Sequence, residues 1–186
     1  GLPFAMSTVS MSFVEDIARE APGRLWLQAY VFAERAITDG IMQRALAAGF
    51  ECVVLTSDFP VAGKRERDLR TGLLPRQDFT LATKLDMLMH PRWLATVATR
   101  RPRFVNVERE LGPGRDVNSF VGHGMFDPTF NWDDLKRFRD RWPRRLMLKG
   151  VLRADDAERA VAAGVDGIVI SNHGGRQLDG AVSAID

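Results

Sequence analysis

The sequence predicts an α/β fold built on a parallel sheet, of the (β/α)₈ TIM-barrel kind, and three observations carry that expectation. Short apolar runs alternate with amphipathic segments, the pattern of repeated strand–helix units. Each inferred strand stops at a polar residue, so the strand ends form a common rim like the carboxyl face of such a barrel. The run from Gly167 to Asp179 sets the apolar stretch Ile168–Ile170 directly before Ser171-Asn172-His173-Gly174-Gly175-Arg176. That order presents a histidine and an arginine at the carboxyl end of a strand, where α/β proteins place their chemistry.

The strands are expected at Phe4 to Met6, Leu25 to Val31, Cys52 to Leu55, Leu146 to Leu148 and Ile168 to Ile170. Between them, Ser12 and Glu15 have the spacing of a capping box at a helix start. Ile37 to Ala48 has helical apolar spacing and meets Gly49, a C-terminal stop. Asp133 to Trp142 is basic and aromatic and is ended by Pro143, and Asp155 to Ala163 closes at Gly164. The polar ends are Ser7; Gln28 and Tyr30; Thr56 and Asp58; Lys149; and Ser171 with His173. Gln28 and Tyr30 share one face by the period of two, as do Thr56 and Asp58.

From about Pro60 to Thr129 the rhythm breaks. This stretch holds the charged run Lys64 to Arg70, a helix around Pro91 to Ala98, an extra strand at Phe104 to Val107, and the loop Gly112-Pro113-Gly114-Arg115. Insertions of this size in a strand–helix loop usually carry function.

Composition narrows the classes. With 186 residues, 45% of them hydrophobic, the chain can bury a core as one domain. A net charge of +2 gives no argument for nucleic acid. Cys52 is the single cysteine and lies in an apolar strand run, so it reads as a buried thiol and no disulfide framework is possible. No apolar run approaches the length of a spanning helix, and Gly1-Leu2-Pro3-Phe4 lacks the basic start of a signal peptide, so a cytoplasmic location is expected. No ligand cluster suits zinc. His90, before Pro91, and His123, among glycines, read as structural or exposed. The basic stretches Arg100 to Arg103 and Lys136 to Arg145 read as solvated faces.

The chemistry of the rim follows from residue type. A histidine moves a proton near neutral pH, and an arginine holds a carboxylate with two parallel hydrogen bonds. A base beside an anion clamp suits proton abstraction from a carboxylic acid.

Ser171-Asn172-His173-Gly174-Gly175-Arg176-Gln177-Leu178-Asp179, with Gln28-Ala29-Tyr30, Leu55-Thr56-Ser57-Asp58, Gly63-Lys64-Arg65-Glu66 and Leu148-Lys149-Gly150, resembles the FMN-dependent α-hydroxy acid oxidising enzymes along the whole chain. His90-Pro91-Arg92-Trp93, Arg65-Glu66-Arg67-Asp68-Leu69 and Phe130-Asn131-Trp132 resemble the mandelate dehydrogenase branch. The resemblance implies a TIM barrel of the FMN-dependent type. It covers about strands 2 to 6, with a long insertion after the third strand of this chain, so residues 1–186 are a partial barrel domain. It also implies oxidation of an (S)-2-hydroxy acid to the 2-oxo acid, with the hydride equivalent passing to flavin N5.

Roles come with the resemblance. His173 matches the catalytic base and Asp58 the carboxylate that orients it. Arg176 and Arg65 match arginines at the substrate carboxylate, and Tyr30 a donor to the substrate. Lys149 matches the lysine near flavin N1 and O2, where a positive charge stabilises the reduced anionic ring. Ser7, Gln28, Thr56 and Ser171 match contacts to the ring or ribityl chain. Val9 stands where glycolate-type relatives carry a bulkier side chain, which leaves room for a larger or aromatic acid. The implied partners are a small 2-hydroxy acid, a quinone or other electron acceptor, a membrane surface met through the insertion, and further copies of the chain, without nucleic acid. Three alternatives stand beside this reading: an oxygen-using oxidase, a non-catalytic fragment or strand-exchanging assembly module that cannot hold FMN alone, and a different flavin- or phosphate-binding barrel.

Overall fold

Residues 1–61, 63, 65–71, 79–99, 103–115, 117, 120 and 125–185 are described by a computed structural model of the chain. The strands are β1 (Phe4–Ser7), β2 (Leu25–Tyr30), β3 (Cys52–Thr56), β4 (Arg145–Val151) and β5 (Gly167–Ile170). The helices are α1 (Val14–Glu20), α2 (Arg35–Ala47), α3 (Glu66–Thr71), α4 (Leu81–Leu88), α5 (Pro91–Thr99), α6 (Val105–Leu111), α7 (Trp132–Arg141) and α8 (Ala154–Ala162). The sheet is parallel, with its five strands in chain order. Sequential parallel strands joined by helices are the arrangement of an arc of a (β/α)₈ barrel. Among the described residues β1 pairs only with β2, and β5 only with β4.

Alternation in β2 sorts the two faces. Leu25, Leu27 and Ala29 are fully buried and face the helices, while Trp26, Gln28 and Tyr30 are half-buried on the opposite face. Ile37, Ile41 and Ala45 give α2 its buried stripe at helical spacing. Leu135 and Phe138 do the same for α7, and Trp142 is buried just after it with its indole N–H donating to the Arg145 carbonyl at 2.8 Å. The ends of α2 and α8 follow the expected glycine stops. The Phe50 amide donates to the Ala45 carbonyl at 3.0 Å, and the Val165 amide to the Ala160 carbonyl at 3.3 Å, each across the glycine that ends the helix.

The five strands expected for the sheet are all present, longer or shorter by a few residues at their ends. Two local expectations are corrected. Phe104 to Val107 is not a strand: α6 begins at Val105, and its buried residues Val107 and Leu111 lie four apart. Ser12 and Glu15 form no capping box, because α1 begins at Val14 with Phe13 at its N-cap, one residue past Ser12, while the Glu15 oxygens bond Arg44 at 2.7 and 2.6 Å. The start of α1 is closed instead from the insertion: Asn106 Oδ1 accepts the Val14 amide at 3.2 Å, and its side-chain amide donates to the Ser12 carbonyl at 2.9 Å. The capping box belongs to α7, where Asn131 accepts from the Asp133 and Asp134 amides and Asp134 accepts from the Asn131 amide.

The basic segment at α7 is also more than a solvated face. Arg139 donates to the Trp142 and Arg144 carbonyls and to Asp166, the last at 2.8 Å. Arg144 donates to the Phe50 carbonyl at 2.6 Å, and Arg141 pairs with Asp39. These arginines are held by backbone carbonyls and carboxylates, local and distant, that charge counting cannot reveal.

Between β3 and β4, α6 of the insertion packs on α1 and α2. Arg44 gathers Glu15, Glu110 at 3.1 Å and Asn106 at 3.2 Å, and Arg109 adds a pair to Glu15 at 3.3 Å. The insertion then returns to the rim. Phe126 forms an antiparallel bridge with Phe32, flanked by hydrogen bonds from the Ala33 amide to the Met125 carbonyl and from the Asp127 amide to the Val31 carbonyl, both 3.0 Å. His123, Lys64 and residues 100–102 lie outside the described residues. His90 is exposed at the start of α5, 3.7 Å from Asp86. Cys52 is buried in β3, and burial, with Asp166 and Glu51 adding to it, pushes its thiol up to about 11, so it stays protonated at neutral pH.

Candidate active site at the strand ends

The parallel register brings the polar strand ends into one row. Ser7 lies beside Gln28, Tyr30 beside Thr56, and Thr56 beside Lys149. The side chains join accordingly: the Ser7 hydroxyl donates to Gln28 Oε1 at 2.8 Å, and Gln28 Nε2 donates to Thr56 Oγ1 at 2.6 Å. A wrong register by one residue would turn each of these groups to the helix side. Buried Thr8 extends the row, its hydroxyl accepting the Tyr30 amide at 3.4 Å.

At the far end of the row the charged groups meet. His173 Nδ1 lies 2.8 Å from Asp58 Oδ1. Lys149 Nζ donates to Asp58 Oδ2 at 3.1 Å and stands 3.3 Å from His173 Nδ1. A ring nitrogen that donates its proton to a carboxylate cannot also accept from an ammonium, so the 3.3 Å approach is a close contact and the hydrogen bond of Lys149 belongs to Asp58. The carboxylate therefore selects the Nδ1–H tautomer and leaves the Nε2 lone pair free. Side-chain exposure is 18% for His173, 11% for Asp58 and 22% for Lys149, enough shielding to strengthen the pairing while the imidazole keeps an open edge.

His173 is held in place locally. It is the non-glycine residue at positive φ (59°) among the described residues, a conformation that costs energy and persists where neighbours impose it. Its amide donates to Ser171 Oγ at 3.0 Å, and the Ser171 hydroxyl donates to Asp58 Oδ2 at 3.3 Å. Asn172 Oδ1 accepts the Gly174 and Gly175 amides at 3.0 and 3.3 Å, shaping the turn that follows.

One side of the imidazole is aromatic. Phe59 lies 5.3 Å away between ring centroids, and Tyr30 stacks at 6.4 Å. Phe126 from the insertion meets Phe59 at 4.3 Å and Tyr30 at 5.1 Å. Burial, then the negative charge of Asp58, raises the Tyr30 phenol above its ordinary value while Arg65 opposes this, so Tyr30 is a hydrogen-bond donor at neutral pH. Arg65 thus lies within electrostatic reach of Tyr30. The loop before it touches the loop carrying Arg176: Gln177 Nε2 donates to the Val61 carbonyl at 3.0 Å, and a side chain at Gly63 would run into the Arg176 carbonyl. Arg176 is exposed, and its backbone amide donates to the His173 carbonyl at 3.4 Å. Val9 is half-buried just past Ser7, whose hydroxyl accepts the Val9 amide at 3.4 Å.

The structure thus joins His173, Asp58, Lys149 and Ser171 in one cluster, joins Ser7, Gln28 and Thr56 in one row, and sets Tyr30 between them. Sequence reasoning did not single out Ser57, Phe59, Phe126, Thr8 or Gly150. Phe59 is adjacent to Asp58 and could have been noticed, whereas nothing in the sequence ties Phe126 to the rim.

A parallel strand–helix arc thus carries a histidine–carboxylate pair and a row of amide, hydroxyl and lysine groups at its strand ends, the place where α/β proteins set their functional sites. The model of the family described as FMN-dependent dehydrogenase matches residues 1–186, and the chain belongs to that family. It is 40% identical over 187 residues to the (S)-mandelate dehydrogenase of Pseudomonas putida, covering 100% of this chain and 47% of the relative. It is 42% identical over 184 residues to a putative L-lactate dehydrogenase of Mycobacterium tuberculosis, covering 97% and 43%. A crystal structure described as the monotopic membrane protein (S)-mandelate dehydrogenase superposes with a TM-score of 0.89 at 40% identity, over 100% of this chain and 50% of that one. The chain spans about half the length of the curated relatives it matches. The rim residues are of the kinds that fit the family cofactor, since hydroxyl, amide and ammonium groups supply the hydrogen-bond donors and acceptors that a flavin ring edge requires.

Proposed function

We propose that the protein takes part in FMN-dependent oxidation of an (S)-2-hydroxy acid with a bulky or aromatic side chain, such as mandelate, to the 2-oxo acid. The observation that carries this reading is the 2.8 Å contact of His173 Nδ1 with Asp58, which leaves Nε2 as a free base. Nε2 takes a proton from the substrate, and Asp58 stabilises the imidazolium that results. Tyr30 donates to the substrate, and Arg65 and Arg176, on two loops in contact, hold its carboxylate. Val9 leaves room for the side chain. Ser7, Gln28, Thr56, Lys149 and Ser171 would hold the flavin ring and its ribityl chain. When bound, FMN supplies the two-electron acceptor at N5.

The test is spectroscopic. The protein reconstituted with FMN is expected to show a flavin band that bleaches when (S)-mandelate is added without oxygen, and to bleach more slowly with (S)-lactate. A flavin band unmoved by either acid contradicts the reading. The outer edges of β1 and β5, which pair with nothing further among the described residues, favour a second reading for the 186-residue chain alone, in which it holds no FMN without further strands. A colourless product after reconstitution supports that alternative.

The electron acceptor is proposed to be a membrane quinone, reached from the inner face. No described helix is long and apolar enough to cross a membrane. Yet α4 exposes Leu81, Leu85 and Leu88, one face at helical spacing, and Met89 and Trp93 continue it into α5. The relative described as monotopic supports surface attachment.

A further inference from the structure

We propose that a bulge at Gly150, braced by Ser57, positions the Asp58 carboxylate against His173. The proposal rests on the histidine–carboxylate pair of the reading above and concerns what fixes its geometry.

β4 and β5 pair in register up to Lys149, and the register then shifts between Lys149 and Val151. Gly150 is the extra residue, at φ +104°, a backbone conformation that side chains disfavour. Space makes the same demand independently. A β-carbon on Gly150 would lie 2.6 Å from the Asp58 β-carbon, 2.7 Å from its amide nitrogen and 2.9 Å from its carboxyl carbon. These are closer than non-bonded atoms approach, so any side chain at residue 150 would push residue 58 away from β4. Asp58 can reach both His173 and Lys149 only because that volume is empty.

Absence of bulk permits the approach but does not hold it. Ser57 does that. Its amide donates to the Lys149 carbonyl at 2.9 Å, continuing the ladder one residue past β3, and its hydroxyl donates to the same oxygen at 2.8 Å. The Lys149 carbonyl therefore anchors the residue before Asp58, while the Lys149 ammonium bonds the Asp58 carboxylate at 3.1 Å. One residue of β4 grips the turn at both ends, and the next residue leaves the gap into which the carboxylate fits. Ser57 and Gly150 touch neither substrate nor flavin in this account, so they are positioning residues.

The His173–Asp58 hydrogen bond has its own signature, a downfield imidazole N–H proton in the NMR spectrum. It is assigned by its disappearance in His173→Gln and in Asp58→Ala. Ser57→Ala is expected to fold and to move this proton upfield with broadening, and Ser57→Thr, which keeps the hydroxyl, is expected to restore it. Gly150→Ala is expected to abolish it. If Gly150→Ala does not fold, the Ser57 pair decides. The proposal is overturned if the proton keeps its parent position in Ser57→Ala, or if it survives in folded Gly150→Ala. The proton reports the pair itself, whereas flavin bleaching reports the reaction, so the two readings fail separately.

Discussion

At the scale of single residues, the candidate site depends on how a few polar groups constrain one another. Asp58 accepts from His173, Lys149 and Ser171 at once, which satisfies its lone pairs and fixes the imidazole tautomer. His173, Asp58, Lys149 and Ser171 were legible in the sequence because strand-end position and residue type together suggested a rim. Their convergence was a matter of register, which the alternation of β2 and the full burial of β3 support. Gly150 was not legible as a positioning residue, since its significance is a steric gap across two strands. Phe126 was hidden because its contact with Phe59 spans the whole insertion. Away from the site, Glu15 gives a clear acid signature. Its hydrogen bonds with Arg44, opposed by burial, pull its carboxyl down from 4.5 to about 2. A depressed folded-state value means that the stabilisation is present above about pH 4.5 and is lost as pH falls toward 2. Stability measured by denaturant across that window should fall more steeply in the parent than in Glu15→Gln, whose profile should be flatter. Equal slopes would remove Arg44–Glu15 as a stabilising pair.

Elements read well where periodicity was sustained and poorly where short apolar runs were ambiguous. Phe104-Val105-Asn106-Val107 is a short apolar, β-branched run of the kind strands use, but the buried Val107 and Leu111 belong to a helical stripe that becomes visible only over a longer window. Ser12 and Glu15 had the right spacing for a capping box, yet the helix starts one residue later, with Phe13 at the N-cap, and Glu15 serves Arg44 instead. The box on α7 is the one to test. Asn131→Ala should lower stability by about 1 kcal/mol in denaturant titration, the usual loss for an N-cap. An unchanged midpoint would mean that tertiary packing alone holds the start of α7. The α4–α5 pair makes a second prediction at this scale. Leu85→Asp, placing a charge in the exposed Leu81–Leu85–Leu88 face, should reduce binding to phospholipid vesicles in a flotation assay while leaving far-ultraviolet circular dichroism unchanged. Undiminished flotation would remove this face as the membrane contact.

For the whole molecule, the sheet order, the exposed rim and the family membership agree. The parallel five-strand arc presents its polar ends together, and the insertion after β3 folds back to supply Asn106 to α1 and Phe126 to the aromatic wall. Barrel architecture was legible because each strand–helix unit repeats the same pattern. The docking of the insertion was not, because it depends on Arg44 and Asn106 contacts between segments more than 60 residues apart. The central claim is that His173 acts as the base of the flavin-reducing reaction. Its most direct test is the anaerobic single-turnover rate of flavin reduction by (S)-mandelate in the parent and in His173→Gln, with FMN bound to both. The rate is expected to fall about a thousandfold in the variant with the yellow colour retained. Reduction of a fully loaded His173→Gln protein at close to the parent rate would contradict it.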